Sequence, residues 1–166
     1  MNLKASVLIA AGTALVTAGA AVPACGADLW QGVSAGMTPA QVTTLFSDAQ
    51  PAEFDEQDGS GSGLAAFRQI DGHRAEVDFH FAYGLLDGVA IQFGGKIEPL
   101  TNEGTETLKA TITGQWGGSV RCDPPVSHSE FCQRLKDGVA MSVLLLRSQD
   151  PSAQASLVIG LQPAAL

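Results

Sequence analysis

The sequence predicts an α+β fold in which two tandem αβββ units form one curved antiparallel sheet, with the helices packed on one face. Three observations lead there. Displaced so that Asp71-Gly72 falls on Asp137-Gly138, the chain also superposes Arg68 on Arg134, Val77 and Phe79 on Val143 and Leu145, and Gly94 on Gly160. Such an internal period is the signature of a repeated supersecondary unit. Each half opens with apolar residues three and four apart, as in Val42, Leu45 and Phe46 and again in Leu108 and Ile112, which is helical spacing. Each half then continues with alternating strands about an Asp-Gly dipeptide, the signal of a two-residue hairpin.

Taken in order, residues 1–27 read as a secretion signal. Met1 to Lys4 give a positive start, an uncharged Ala-rich run covers Ala5 to Ala21, and small residues follow. The run is short and weakly apolar beside the roughly 20 strongly apolar residues of a membrane helix. Two cleavage sites stay open. A cut before Cys25, in Val22-Pro23-Ala24-Cys25, would leave a lipid-modified Cys25 as the new N-terminus. A cut after Ala27 would discard Cys25. Residues 28–94 form the first unit and 95–166 the second, the two making one domain. Thr38-Pro39 caps the first helix, which should end between Ser47 and Gln50, before Pro51. An acidic loop, Asp55 to Gly63, leads to strands Leu64–Ile70, His73–Phe81 and Gly88–Gly94, with Tyr83 to Leu86 as the second turn. The second unit repeats this with helix Thr105–Gln115, ended by Gly117-Gly118, and strands Glu130–Lys136, Val139–Arg147 and Ala155–Leu161.

The chain has 166 residues, enough for a real core, and is 45% hydrophobic and 16% charged, which argues against disorder. Its formal net charge of −8 argues against a phosphate-binding surface, since Lys and Arg must displace the counterions of nucleic acid. Anionic membranes are disfavoured likewise, leaving membrane contact only through a lipid on Cys25. With Cys25 set apart, Cys122 and Cys132 are an even pair in an exported chain, and so predict a disulfide closing the Pro-Pro loop between them. The alternative, a redox or metal pair with His128, lacks the C-x-x-C spacing and a second cysteine pair.

The stretch Gly36-Met37-Thr38-Pro39-Ala40-Gln41-Val42, with Leu45-Phe46 and Pro51, resembles the opening of the small outer-membrane lipoproteins of the SmpA/OmlA type. That family includes the BamE component of the barrel-assembly machinery. Two units in tandem are more similar to the β-lactamase-inhibitor-protein arrangement. The resemblance covers residues 30–94 and reaches 95–161 through the internal repeat. It implies a helix followed by a three-stranded meander, and a role in binding protein rather than in catalysis.

Candidate sites are few. In strand His73–Phe81 the residues Arg74, Glu76, Asp78 and His80 point one way and Ala75, Val77, Phe79 and Phe81 the other. The first set could bind a cation or act as acid and base, but metal ligands converge from several strands, and nothing marks such partners. It reads as a solvated or partner-facing surface. Met141 to Leu146 is apolar on both faces. Either its second face is covered, the favoured reading, which would suit the seam between units, or Leu144 and Leu146 form an exposed partner-binding patch. Trp30 and Trp116 read as core or inter-unit residues. The serines lack a Gly-x-Ser-x-Gly setting, and no glycine-rich phosphate loop is present. No catalytic, cofactor or metal residues are therefore assigned. The expectation is a non-enzymatic protein-binding module of the bacterial cell envelope, with an assembly or scaffold role, in the periplasm or on the periplasmic face of the outer membrane. The alternative is an inhibitor or immunity protein that blocks an exported enzyme through its acidic sheet face.

Overall fold

Hairpin chemistry dominates the architecture. The computed structural model describes residues 26–53, 63–116, 120–150 and 154–164; most of the expected secretion signal, with Cys25, most of the acidic loop and Gly117-Gly118 lie outside them. Strand β1 (Asp28–Trp30) pairs with β2 (Val33–Ser34), and helix α1 (Pro39–Leu45) and strand β3 (Gln50–Ala52) follow. Next come β4 (Gly63–Ile70), β5 (His73–Ala82) and β6 (Leu85–Gly94), then helix α2 (Asn102–Gln115). The chain ends with β7 (Arg121–Cys122), β8 (Ser129–Lys136), β9 (Val139–Leu146) and β10 (Ser156–Pro163). The fold is α+β, with two helices and one large antiparallel sheet of eight strands in the order β3-β4-β5-β6-β10-β9-β8-β7.

In the large sheet three hairpins close on two-residue turns with both residues at positive φ: Asp71-Gly72, Tyr83-Gly84 and Asp137-Gly138. That geometry matches the strand twist and favours Asp-Gly. The second turn is shorter than the four residues expected, because Leu85 and Leu86 already belong to β6. Their position is fixed from outside the hairpin. The Leu86 N–H donates to the Met37 carbonyl at 2.7 Å, and the Gly36 N–H donates to the Leu86 carbonyl at 2.8 Å.

The sequence places Val139–Leu146 where the two halves meet or where a helix covers the sheet; helix α2 packs on one side of β9, and the strand that pairs across to β6 is β10. Strand β10 joins β6, with Ile159 opposite Ile91 and Leu157 opposite Phe93. Each meander ends on its innermost strand, so β9 stands one place out. The junction is tight. Gly94 has φ +80°, and a Cβ there would lie 2.2 Å from the Ala155 carbonyl oxygen.

Both helices cover the same sheet face. Thr38 caps α1 reciprocally with Gln41, and Val42 is buried. Phe46, just past the helix end, stacks on Trp30 at 5.6 Å and lies 5.1 Å from Phe79 of β5. Helix α2 begins earlier than the expected Thr105, since Thr101 Oγ1 accepts the Gly104 N–H and caps the first turn. Its threonines do not break it: Thr107, Thr111 and Thr113 donate their hydroxyls to carbonyls four residues back. Leu108 and Ile112 are buried, Ile112 belongs to the core cluster that holds Ile91, Phe93 and Ile159 of the central strands, and Trp116 packs against that cluster. Beside them Lys109 and Glu106 of α2 pair with Glu130 of β8 and with Arg147 just after β9.

Both sheet borders are short. Strand β3 contains Pro51, and β7 has two residues followed by Asp123-Pro124-Pro125. Cys122 and Cys132 face each other across β7 and β8, with Cα atoms 4.0 Å apart, and form the expected disulfide.

Candidate functional site: the open sheet face

With the helices on one side, the other face of the sheet carries the alternate residues of each strand. Across it Phe67, Glu76, Gln92, Val158, Leu144 and Phe131 stand opposite one another in turn. The neighbouring row runs Ala65, Asp78, Ala90, Gly160, Ser142 and Gln133, and ends at Arg121. Arg74, Glu76, Asp78 and His80 share this face, as the alternation predicts, with their odd-numbered neighbours buried. A bulge at Asp87, between the pairs His80–Gly88 and Phe81–Leu86, resets the phase of β6 near its start.

The two halves of the face differ in chemistry. On the β4–β6 half the Arg74 guanidinium lies 4.3 Å over the Phe67 ring. Asp78 is only 2% exposed. Gln92 donates from Nε2 to Asp78 Oδ2 at 2.6 Å. Burial pushes the Asp78 carboxyl above the usual carboxylate range, against the Gln92 hydrogen bond and the charge of His80. Burial also raises Glu76, and the neighbouring Asp78 adds to it. A cleft of about 270 Å³ opens beside Glu76 and Gln92, reaching Lys96 and Val158.

The β8–β10 half carries exposed apolar side chains beside Arg121, Gln133 and Ser142. Leu135 is 68% exposed, Leu146 43% and Phe131 38%. Phe131, Leu135, Ala140 and Gln162 line a groove of about 630 Å³ there. The covered reading of β9 is thus corrected. Helix α2 packs on its Val143 and Leu145 side, whereas Leu144 is half-buried between Phe131 and Val158, and Leu146 is exposed. Sequence reasoning placed Glu76 and Leu144 in separate candidate sites; the sheet order sets them in one row. It missed Phe67, Gln92, Phe131 and Leu135, whose alternation is visible in the chain but whose neighbours depend on which strands pair.

Among the described residues, Cys122, Glu130 and Cys132 bring three metal-ligating atoms together. Both sulfurs are spent in the disulfide, and Glu130 accepts from Lys109 and Arg147, so the donors do not suit an ion. Comparison with known proteins gives no match: no family model, no curated protein and no solved structure is significantly similar to the chain. The chemistry of the open face is therefore argued from its own residues. Asp78 is sealed from solvent and bonded to Gln92, so it is not placed to reach a substrate. What the face does present is area, with exposed apolar side chains set among polar and charged ones.

Proposed function

We propose that the protein is an exported, non-enzymatic protein-binding module of the bacterial cell envelope, built as two tandem αβββ units related to the SmpA/OmlA type. Its role is assembly or scaffolding, and its binding surface is the open sheet face. One observation carries the reading: a sheet whose second face leaves Phe67, Phe131, Leu135 and Leu146 in solvent together. Exposed apolar side chains gathered on one face, rimmed by polar groups, mark a protein interface. The cross-strand disulfide suits an oxidising compartment such as the periplasm. A second reading, inhibition of a basic exported enzyme, is favoured by Glu76 on the same face and the net charge of −8.

The test is a Leu135→Glu, Leu146→Glu variant isolated from the native envelope. The wild-type chain should co-purify with a partner in fixed ratio, and the variant should lose it while keeping its melting temperature. A variant that retains the partner overturns the reading. Binding that weakens steeply with salt selects the inhibitor role, and binding insensitive to salt the scaffold role.

A further inference from the structure

Four turns in the described chain place a non-glycine residue at φ between +46° and +53°, followed by glycine: Gln31-Gly32, Asp71-Gly72, Tyr83-Gly84 and Asp137-Gly138. Asp suits that left-handed backbone because its short side chain bonds locally, whereas a bulky residue there is a strained exception. The chain nevertheless sets its single tyrosine at the tip of the β5–β6 hairpin. Among the described residues nothing repays the strain, for Tyr83 is 106% exposed.

The tip is also rigid. Leu86, immediately behind it, is 2% exposed and is bonded through its backbone to both Gly36 and Met37. Since Leu86 enters the core, Leu85 projects to the opposite side, 48% exposed and paired with Ala82. The tip therefore continues the open face beyond His80 and Gly88, and it carries Asp87 exposed beside it. Tyrosine on a rigid turn offers a large amphipathic contact with few torsions to freeze, which is why it is enriched among interface anchors.

We infer that Tyr83, with Leu85 beside it, is the anchor by which the open face holds its partner, and that this partner is a basic protein with an apolar pocket for an aromatic side chain. The inference rests on the protein-binding reading above. Asp87 exposed at the tip, Glu76 behind it and the overall charge of −8 call for basic residues around that pocket. The residue is retained against the needs of the fold, so its effects on stability and on binding must run in opposite directions.

The experiment replaces Tyr83, Asp71 and Leu135 in turn with the photo-cross-linker p-benzoylphenylalanine in the full chain, in the native host. Positions 83 and 135 should capture the same basic protein, and position 71, a hairpin tip of another kind, should not. Tyr83→Asn should then weaken binding of that purified protein by about thirtyfold, the scale of an interface anchor. Its melting temperature should stay the same or rise by about 2–4 °C as the turn relaxes. Capture at 135 but not at 83, or binding by Tyr83→Asn within about threefold of wild type, overturns the anchor and leaves the face reading standing. Capture at neither position overturns both. An acidic partner, or a Tyr83→Asn chain that melts lower, also overturns the inference.

Discussion

Glu130 ties the second helix to the sheet, and Glu130→Gln measures that tie. Its side chain is 14% exposed; one oxygen accepts from Lys109 of α2 at 2.8 Å and the other from Arg147 at 2.7 Å. These two hydrogen bonds, Lys109 first, hold the Glu130 carboxyl below the ordinary carboxylate range. Glutamine keeps the size but loses the charge and turns an NH2 group toward a cation. A hydrogen bond to a charged group contributes about 1.5–3 kcal/mol. Glu106 already pairs with both cations and keeps them partnered, so only part of the two bonds is lost. We expect a loss of about 2–3 kcal/mol at pH 7 and a melting temperature lower by about 5–10 °C. The pH dependence fixes the cause. A carboxyl whose folded pKa is depressed stabilises fully above its unfolded value, about 4.3, and the stabilisation fades as pH falls through the folded value. Urea unfolding from pH 7 down to about 3 should show a constant gap between wild type and variant until about pH 4.5, closing below it. A gap that persists unchanged at the lowest pH would refute the charge argument, and a shift under about 1 °C would refute the tie itself.

Asp78→Asn should act in the opposite sense. Burial raises the folded pKa of Asp78, so its penalty appears as pH rises through the unfolded value near 3.9; the variant should gain about 1 kcal/mol or less at pH 7 and nothing in acid, read by melting temperature against pH. Gly94→Ala should cost several kcal/mol, on the order of 3, because the new Cβ meets the Ala155 carbonyl oxygen at a left-handed φ; a variant as stable as wild type would show that the β6–β10 junction yields. Replacing Cys122 and Cys132 together by Ser should lower unfolding stability by about 2.5–3 kcal/mol from loop entropy, and non-reducing peptide mapping of wild type should recover the pair linked.

Local signals were legible in the chain and pairing was not. Thr38-Pro39, the two Asp-Gly turns and the period of β5 are decided by neighbours in sequence, and the corresponding elements formed where expected. The start of α2 was misplaced because Thr101 acts as a cap well before Leu108, where the apolar spacing begins. The short strands β1, β2, β3 and β7 carry too few residues to show alternation. The seam failed for a different reason. Strand β9 is apolar on both sides because Leu144 packs between Phe131 and Val158 on the open face, and hydropathy alone does not separate that from burial at the centre. Glu76, Asp78, Leu144 and Leu146 were all identified, but only the strand order makes them one surface.

The borders of the sheet limit what kind of complex this chain can build. Pro51 removes a donor from β3, the Arg68 guanidinium occupies the Phe67 carbonyl on β4, and beyond β7 the Asp123 N–H takes the Phe131 carbonyl while two prolines follow. Among the described residues these features blunt both margins at the positions they occupy. Such blunting works against edge-to-edge growth of the sheet and leaves its broad side as the larger surface on offer.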